Sequence, residues 1–283
     1  MADSYCHDWY GPLLITARFR QTFAMAIPCP QEFLDFAVEL ATEAGPIIRK
    51  HFRTPVSVDT KPDATPVSIA DRDAEKVMRQ LISDHYPDHG IYGEEFGIDK
   101  IDAEFVWVLD PIDGTKAYLS GKPEFGTLIA LLQDGVPIIG VIDQPVNGER
   151  WLGAKGKPTT FNGAEVSTRA CTDIEFATLN ATSPDMFEES DNLRFSALSQ
   201  QTSMTLYGGD CYAYGLLANG HLDLIVEADL KPYDFCALIP VITGAGGAAT
   251  DWQGKELNLK SDGRIVAVGD ATILPQVTSI LSE

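Results

Sequence analysis

"WVLDPIDGTKAYL", residues 107–119, runs from an apolar stretch straight into two aspartates three positions apart and then into a glycine. The preceding "FVWVL", Phe105 to Leu109, is wholly apolar and rich in aromatic and β-branched residues, which predicts a buried strand. That strand delivers Asp110 and Asp113 to one place, where their charges repel. Buried carboxylates are costly unless neutralised, and neighbouring ones cost more. A divalent cation removes that cost. Oxygen ligands without Cys or His select a hard ion, and Mg2+ is the usual one where phosphate is also bound. Gly114 and Thr115 follow at once, offering backbone N–H groups at a turn or helix start where a phosphate could sit. Paired cations can clamp a phosphate ester and lower the pKa of water, so no covalent nucleophile is required.

Other acids can converge on this strand end. "YGEEFG" places Glu94 and Glu95 between glycines, in a loop where backbone can approach another element closely. "VEADLKP" ends a strand with Glu227, and "KPYDF" puts Asp234 at the mouth of an apolar helix. Bland readings stand beside these. Asp71 could serve only as a helix cap, Asp234 could be an N-cap, and a Glu pair is often a solvated loop.

The chain has 283 residues and 45% hydrophobic composition, enough for one large domain or two small ones with a real core. Its 21 Lys and Arg against 41 Asp and Glu leave a net charge of −20. That balance argues against a nucleic-acid or anionic-membrane partner, both of which need clustered positive charge. The five cysteines are scattered and form no C-x-x-C pair, so a disulfide framework or zinc site is not expected and a reducing compartment, the cytoplasm, fits best. "FCALIPVITGAGGAA", like every long apolar run, is broken by Pro and Gly or too short to cross a bilayer. No G-x-S-x-G elbow or Walker-type loop occurs.

Residues 1–27 lack helical or strand periodicity and read as an appended or disordered tail, with a plastid address left open. Residues 28–283 read as a single catalytic domain with two subdomains meeting near residue 150. From Gln31 the positions Phe33, Phe36, Ala37, Leu40, Ala41, Ala44, Ile47 and Ile48 follow a helical period. A loop, "TKPDATPVS", precedes a second helix with Ser68 and Asp71 spaced as in a capping box. Strands are expected at Phe105–Leu109, Gly126–Leu132 and Pro137–Ile142, with a hairpin return through "RWLGAKG". The second half should hold a helix near Tyr212–Ala218, a strand at Leu222–Val226, a helix from Asp234, a strand at Arg264–Val268 and a final helix to Leu281. Helices and strands alternate without a strict βαβ cadence, which predicts an α/β (α+β) fold of layered helices and mixed sheets.

"GEE" at 93–95, "DPIDGT" at 110–115 and "YDF" at 233–235, with "PVSIADRDAE" upstream, resemble in order and separation the metal signature of the inositol monophosphatase superfamily. The resemblance covers roughly residues 31–281. It implies an α/β/α/β/α sandwich, usually a homodimer, and lithium-sensitive, Mg2+-dependent hydrolysis of phosphomonoesters with two to three ions per site. Carried over residue by residue, Glu94, Asp110 and the Ile112 carbonyl would hold one ion. Asp110, Asp113 and Asp234 would hold a second, and Glu94 with Glu95 a looser third. Asp71 and Thr115 would orient the attacking water, and the Gly114 and Thr115 amides would receive the phosphate.

Within the superfamily, "DPIDGTKAYLSGKPEFGTLIAL", "YGGDCYAYGLLANGHLDLIVEADLKPYDF" and the following "GAGG" look like the histidinol-phosphatase branch. Asp210 stands where the inositol-type pattern has a small neutral residue. Carboxylates at Asp210 and Glu227, with Asp113 and Asp234, could accept from the amine and imidazole of histidinol phosphate, which a polyol lacks. The bland alternative for Asp210 is the N-cap of the Tyr212 helix, a role compatible with the first.

Overall fold

The apolar spacing from Phe33 onward forms helix α1 (Gln31–His51), which buries Phe33, Phe36, Ala37, Leu40, Ala41, Ala44 and Ile48. This computed structural model describes residues 29–55, 58–60 and 66–282, so the tail expected at 1–27 lies outside the described residues. A two-stranded ribbon, β1 (Val58–Thr60) and β2 (Pro66–Ser68), leads into α2 (Ile69–His85), so the end of the expected loop is strand.

Next come β3 (Gly90–Gly93), β4 (Gly97–Asp99), β5 (Phe105–Asp113), the short helix α3 (Thr115–Leu119), β6 (Gly126–Gln133), β7 (Val136–Gln144), β8 (Glu149–Ala154), β9 (Lys157–Phe161) and β10 (Ala164–Glu165). They form an eight-stranded sheet in the order β10-β9-β8-β7-β6-β5-β3-β4, in which only the β3–β5 pair is parallel. Both faces of this sheet are covered. Trp107, Leu109, Ile129 and Leu131 point into the core shared with α1 and α2, while Val106, Val108, Leu128 and Ala130 point into a second core on the other face. A strand buried on both faces reads as a continuous apolar run, which is why "FVWVL" shows no alternation.

The second half contains β11 (Thr178–Ala181), α4 (Glu189–Ser199), β12 (Met204–Tyr207), α5 (Asp210–Ala218), β13 (Leu224–Glu227), α6 (Pro232–Phe235), α7 (Leu238–Gly244), β14 (Ala248–Asp251), β15 (Ile265–Val268) and α8 (Leu274–Leu281). Its five strands are ordered β12-β11-β13-β15-β14, with mixed directions. Ile225 and Ala267 face the core containing α5 and α7, and Leu224, Val226, Val266 and Val268 face a third core containing α4 and α8. Helices, large sheet, helices, small sheet and helices therefore stack as an α/β/α/β/α sandwich.

Three local differences from the sequence reading have physical causes. β5 continues past Leu109 to Asp113, with an irregularity in its pairing to β6 between Asp110 and Asp113. The helix expected from Asp234 is two pieces, because Pro240 has no N–H for the Cys236 carbonyl one turn back. Helix α4 went unread because "ESDNLRFSALS" has no apolar stripe. It is held instead by Phe195 stacked on Phe187 at 4.4 Å and by Asp191 paired with Arg264 at 2.8 Å.

Candidate active site

In a regular strand, residues three apart point to opposite faces. Opposite β5, Asp110 pairs with Leu128 and Asp113 with Gly126, so three steps on β5 match two on β6. This one-residue bulge brings Asp110 and Asp113 to the same side. The Asp110 Oδ1 accepts the Ile112 N–H at 3.0 Å, bracing the bulge from within. Asp234 arrives from α6, whose Pro232 opens the helix, and its Oδ2 accepts the Lys231 N–H at 2.6 Å. It is therefore an N3 residue rather than the N-cap. Asp110, Asp113 and Asp234 each offer an oxygen within 4.8 Å of the others.

A second set forms beside it. Asp71, Glu94 and Glu95 also bring one oxygen each within 4.8 Å of one another. Asp71 sits at N3 of α2, and its Oδ2 accepts both the Ser68 N–H at 2.9 Å and the Ser68 hydroxyl at 2.5 Å. The capping reading of Asp71 thus holds for one oxygen. The other, Oδ1, is buried without a hydrogen-bond partner.

Crowding is written into the protonation of these groups. Burial, then the charges of Glu94, Asp113 and Asp234, drive the Asp110 carboxyl well above the usual carboxylate range. Burial and Asp234 push Asp113 up to about 8, against the pull of the Cys211 amide. Asp234 is raised to about 7 and Asp71 to about 6, burial being the main cause in both. A hard divalent cation fits this donor set: carboxylate oxygens without thiol or imidazole, one of them buried and unbonded, and a local excess of negative charge.

Gly114 and Thr115 connect the bulge to α3. Gly114 has a left-handed backbone at φ 85°, and a Cβ there would stand 2.9 Å from the Asp210 Cγ, so glycine is required twice over. The Thr115 hydroxyl donates to the Ile112 carbonyl at 3.1 Å, leaving that oxygen a second lone pair.

Asp210 lies against Gly114 and begins α5. The N-cap of that helix is Gly209 and Asp210 is its first helical residue, so the alternative reading of Asp210 as an N-cap is corrected. Asp210 itself is left-handed at φ 41°, a conformation disfavoured for any residue but glycine. Burial, Asp113 and Glu227 push its carboxyl up to about 8. Glu227, at the end of β13, accepts the Thr182 N–H and the Tyr214 hydroxyl, each at 2.8 Å. Asp113, Asp210, Glu227 and Asp234 line one small cavity of about 60 Å³. Sequence reading missed Thr182 and Tyr214, since a neutral partner of a buried acid leaves no motif.

A sequence model described as the inositol monophosphatase family matches residues 30–282. The chain belongs to the inositol monophosphatase family. An inositol monophosphatase from Zymomonas mobilis superimposes with a TM-score of 0.83 at 45% identity, covering 89% of this chain and 98% of that one. The chloroplastic bifunctional phosphatase IMPL2 of Arabidopsis thaliana is 48% identical over 251 residues, 86% of this chain and 72% of the relative. A histidinol-phosphatase of Chlorobaculum parvum is 34% identical over 236 residues, 83% of this chain and 91% of the relative. As an inositol monophosphatase family member the chain is a phosphatase of small phosphate esters, and its acidic clusters can bind the metal on which the family depends. No described helix is long and apolar enough to cross a membrane.

Proposed function

We propose that the chain hydrolyses L-histidinol phosphate to L-histidinol and phosphate, using Mg2+, as a step of histidine biosynthesis. The observation that carries this reading is the packing of Asp210 against Gly114, beside the Asp110, Asp113 and Asp234 cluster and in one cavity with Glu227. Acidic side chains next to a phosphate turn suit a leaving group that carries cations. The histidinol-phosphatase of Chlorobaculum parvum supports it by kinship.

Glu94, Asp110 and the Ile112 carbonyl would hold one Mg2+, Asp110, Asp113 and Asp234 would hold a second, and Glu94 with Glu95 would hold a third. When bound, these ions neutralise the phosphate and lower the pKa of water. Asp71 and Thr115 orient the attacking water, Asp71 through the oxygen that Ser68 does not occupy. The Gly114 and Thr115 amides receive the phosphate. Asp113 also takes the Cys211 N–H at 2.6 Å, which fixes α5 and Asp210 relative to the acidic cluster. Asp210 and Glu227 receive the cationic groups of histidinol. The protein works as a lithium-sensitive homodimer in the cytoplasm or another reducing compartment.

A second reading, an inositol-phosphate or broader sugar-phosphate phosphatase, is supported by the similarity to the Zymomonas mobilis enzyme and by the word bifunctional in the IMPL2 name. Phosphate release from L-histidinol phosphate, inositol 1-phosphate and fructose 1,6-bisphosphate, with Mg2+ and with EDTA, separates the two. A dominant kcat/KM for histidinol phosphate that EDTA abolishes is expected. Equal or better hydrolysis of inositol 1-phosphate removes the substrate assignment and leaves the metal chemistry.

A further inference from the structure

Glu75 is fully buried on α2, one helical turn beyond Asp71. Its carboxylate is engaged on every side. Oε2 accepts the Glu95 N–H at 2.7 Å, and Oε1 accepts the Phe96 N–H at 3.1 Å and the Arg79 Nε–H at 2.7 Å. Arg79 reaches on to donate from its Nη2 to the Gly97 carbonyl. The turn between β3 and β4, which carries Glu94 and Glu95, is thus gripped at three consecutive residues by two side chains of α2.

The grip also explains a glycine. A Cβ on Gly93 would fall 2.0 Å from the Glu75 Oε1, so only glycine lets the carboxylate reach under the turn. On the other flank, the Glu94 N–H bonds to the Leu109 carbonyl of β5 at 3.1 Å, tying the turn to the strand that ends in Asp110.

A paired carboxylate that takes successive backbone amides does for a turn what an anion does for a nest of N–H groups: it sets their direction. Exposed turns that carry two adjacent acids have no reason to hold one shape, because the like charges repel. Here Glu75 provides the fixed point, and Arg79 offsets the negative charge that Glu75 would otherwise add beneath Glu94 and Glu95.

We propose that Glu75 and Arg79 are positioning residues that hold the Glu94–Glu95 turn in the shape that binds a divalent cation opposite Asp71. Helix α2 then acts twice, supplying Asp71 directly and aiming Glu94 and Glu95 through Glu75. The inference rests on the metal reading of the site given above. Partners that orient metal ligands typically change metal affinity or activity by roughly 10–100-fold when removed.

The test compares the full chain with Glu75→Gln and Arg79→Lys. Glutamine keeps the size of the side chain but has one acceptor oxygen in place of two. Magnesium binding is followed by isothermal titration calorimetry, phosphate release as a function of Mg2+ concentration, and amide exchange of the Gly93–Gly97 segment on the metal-free protein. In Glu75→Gln the half-saturating Mg2+ should rise roughly 10–100-fold, with kcat recovered at saturating Mg2+ and faster exchange at Glu95 and Phe96. Arg79→Lys should show a smaller rise in the same direction. A wild-type chain that binds Mg2+ beside a folded Glu75→Gln of unchanged Mg2+ dependence overturns the positioning role alone. Loss of activity in both variants that no Mg2+ concentration restores, with Mg2+ affinity as in the wild type, overturns it as well. If the wild-type chain takes up no Mg2+, the metal reading itself falls and this inference with it.

Discussion

The Asp113 carboxylate receives the backbone N–H of Cys211 at 2.6 Å, so the last residue of β5 is bonded to the first turn of the helix that begins with Asp210. One hydrogen bond joins the bulged strand of the large sheet to the element carrying the proposed specificity residue. Disturbance on either side is therefore felt on the other.

Replacing Asp210 by Ala should lower kcat/KM for histidinol phosphate by about 10–100-fold, the loss of one hydrogen bond to a charged group. Hydrolysis of inositol 1-phosphate should change little. Steady-state kinetics on both substrates decide it: equal activity of the variant on histidinol phosphate returns Asp210 to a structural role.

Asp110→Asn should cut phosphate release by more than about 100-fold even at saturating Mg2+, beyond what loss of an outlying partner does. Asp110 is central to its cluster, buried, and charged against Glu94, Asp113 and Asp234. The amide keeps the shape and removes the charge. Retained turnover at high Mg2+ would remove Asp110 from the catalytic reading.

Without metal the protein should be less stable at high pH. Asp113 at about 8, Asp234 at about 7 and Asp71 at about 6 are all raised above their unfolded values, so the folded chain binds more protons than the unfolded one. Stability is full below the unfolded values and falls as pH climbs toward 8. A drop in Tm of about 5–10 °C between pH 5 and pH 8 in EDTA follows from a few kcal/mol of linkage in a chain of this size. Added Mg2+ should restore more of it at pH 8 than at pH 5. A Tm in EDTA that rises over this interval contradicts the crowding.

His89 titrates with the opposite sign. Its ring stacks on Tyr86 at 4.6 Å and on Phe105 at 5.0 Å, and its Nδ1 accepts the Trp107 Nε1–H at 3.1 Å. Burial lowers its pKa, so its contribution is full above the unfolded value near 6.5 and is lost as pH falls below it. His89→Leu should destabilise by about 1 kcal/mol at pH 7.5, the value of one hydrogen bond, and by less at pH 5. Thermal melts of both proteins, followed by tryptophan fluorescence in EDTA, check it; a gap that widens toward pH 5 excludes a neutral acceptor role.

Much of this protein could be read along the chain, because the signals are local. The period of Phe33 to Ile48 gave α1 its buried face, and the unbroken apolar run of β5 marked a strand covered on both sides. The acidic motifs at 93–95, 110–115 and 233–235 identified the family, which residues 30–282 bear out. Elements without a local signal stayed hidden. Helix α4 and strands β3, β11 and β12 are short or unpatterned, and they hold their shape through neighbours distant in sequence.

What sequence alone determined here was the set of residue types and their order: carboxylates at the ends of apolar segments, and glycines beside them. What only the tertiary structure decided was which atoms meet. Spacing by itself would send Asp110 and Asp113 to opposite faces, and it is the pairing of β5 with β6 that inserts the bulge and turns them together. Asp71 could be a cap or a site residue until its two oxygens were seen to part company, Oδ2 bonded to Ser68 and Oδ1 not. Glu75 carried no sign of its part until Gly93 opened a way for it beneath the turn. Direction, burial and close approach are relations between segments far apart in the chain, and they exist only once those segments pack.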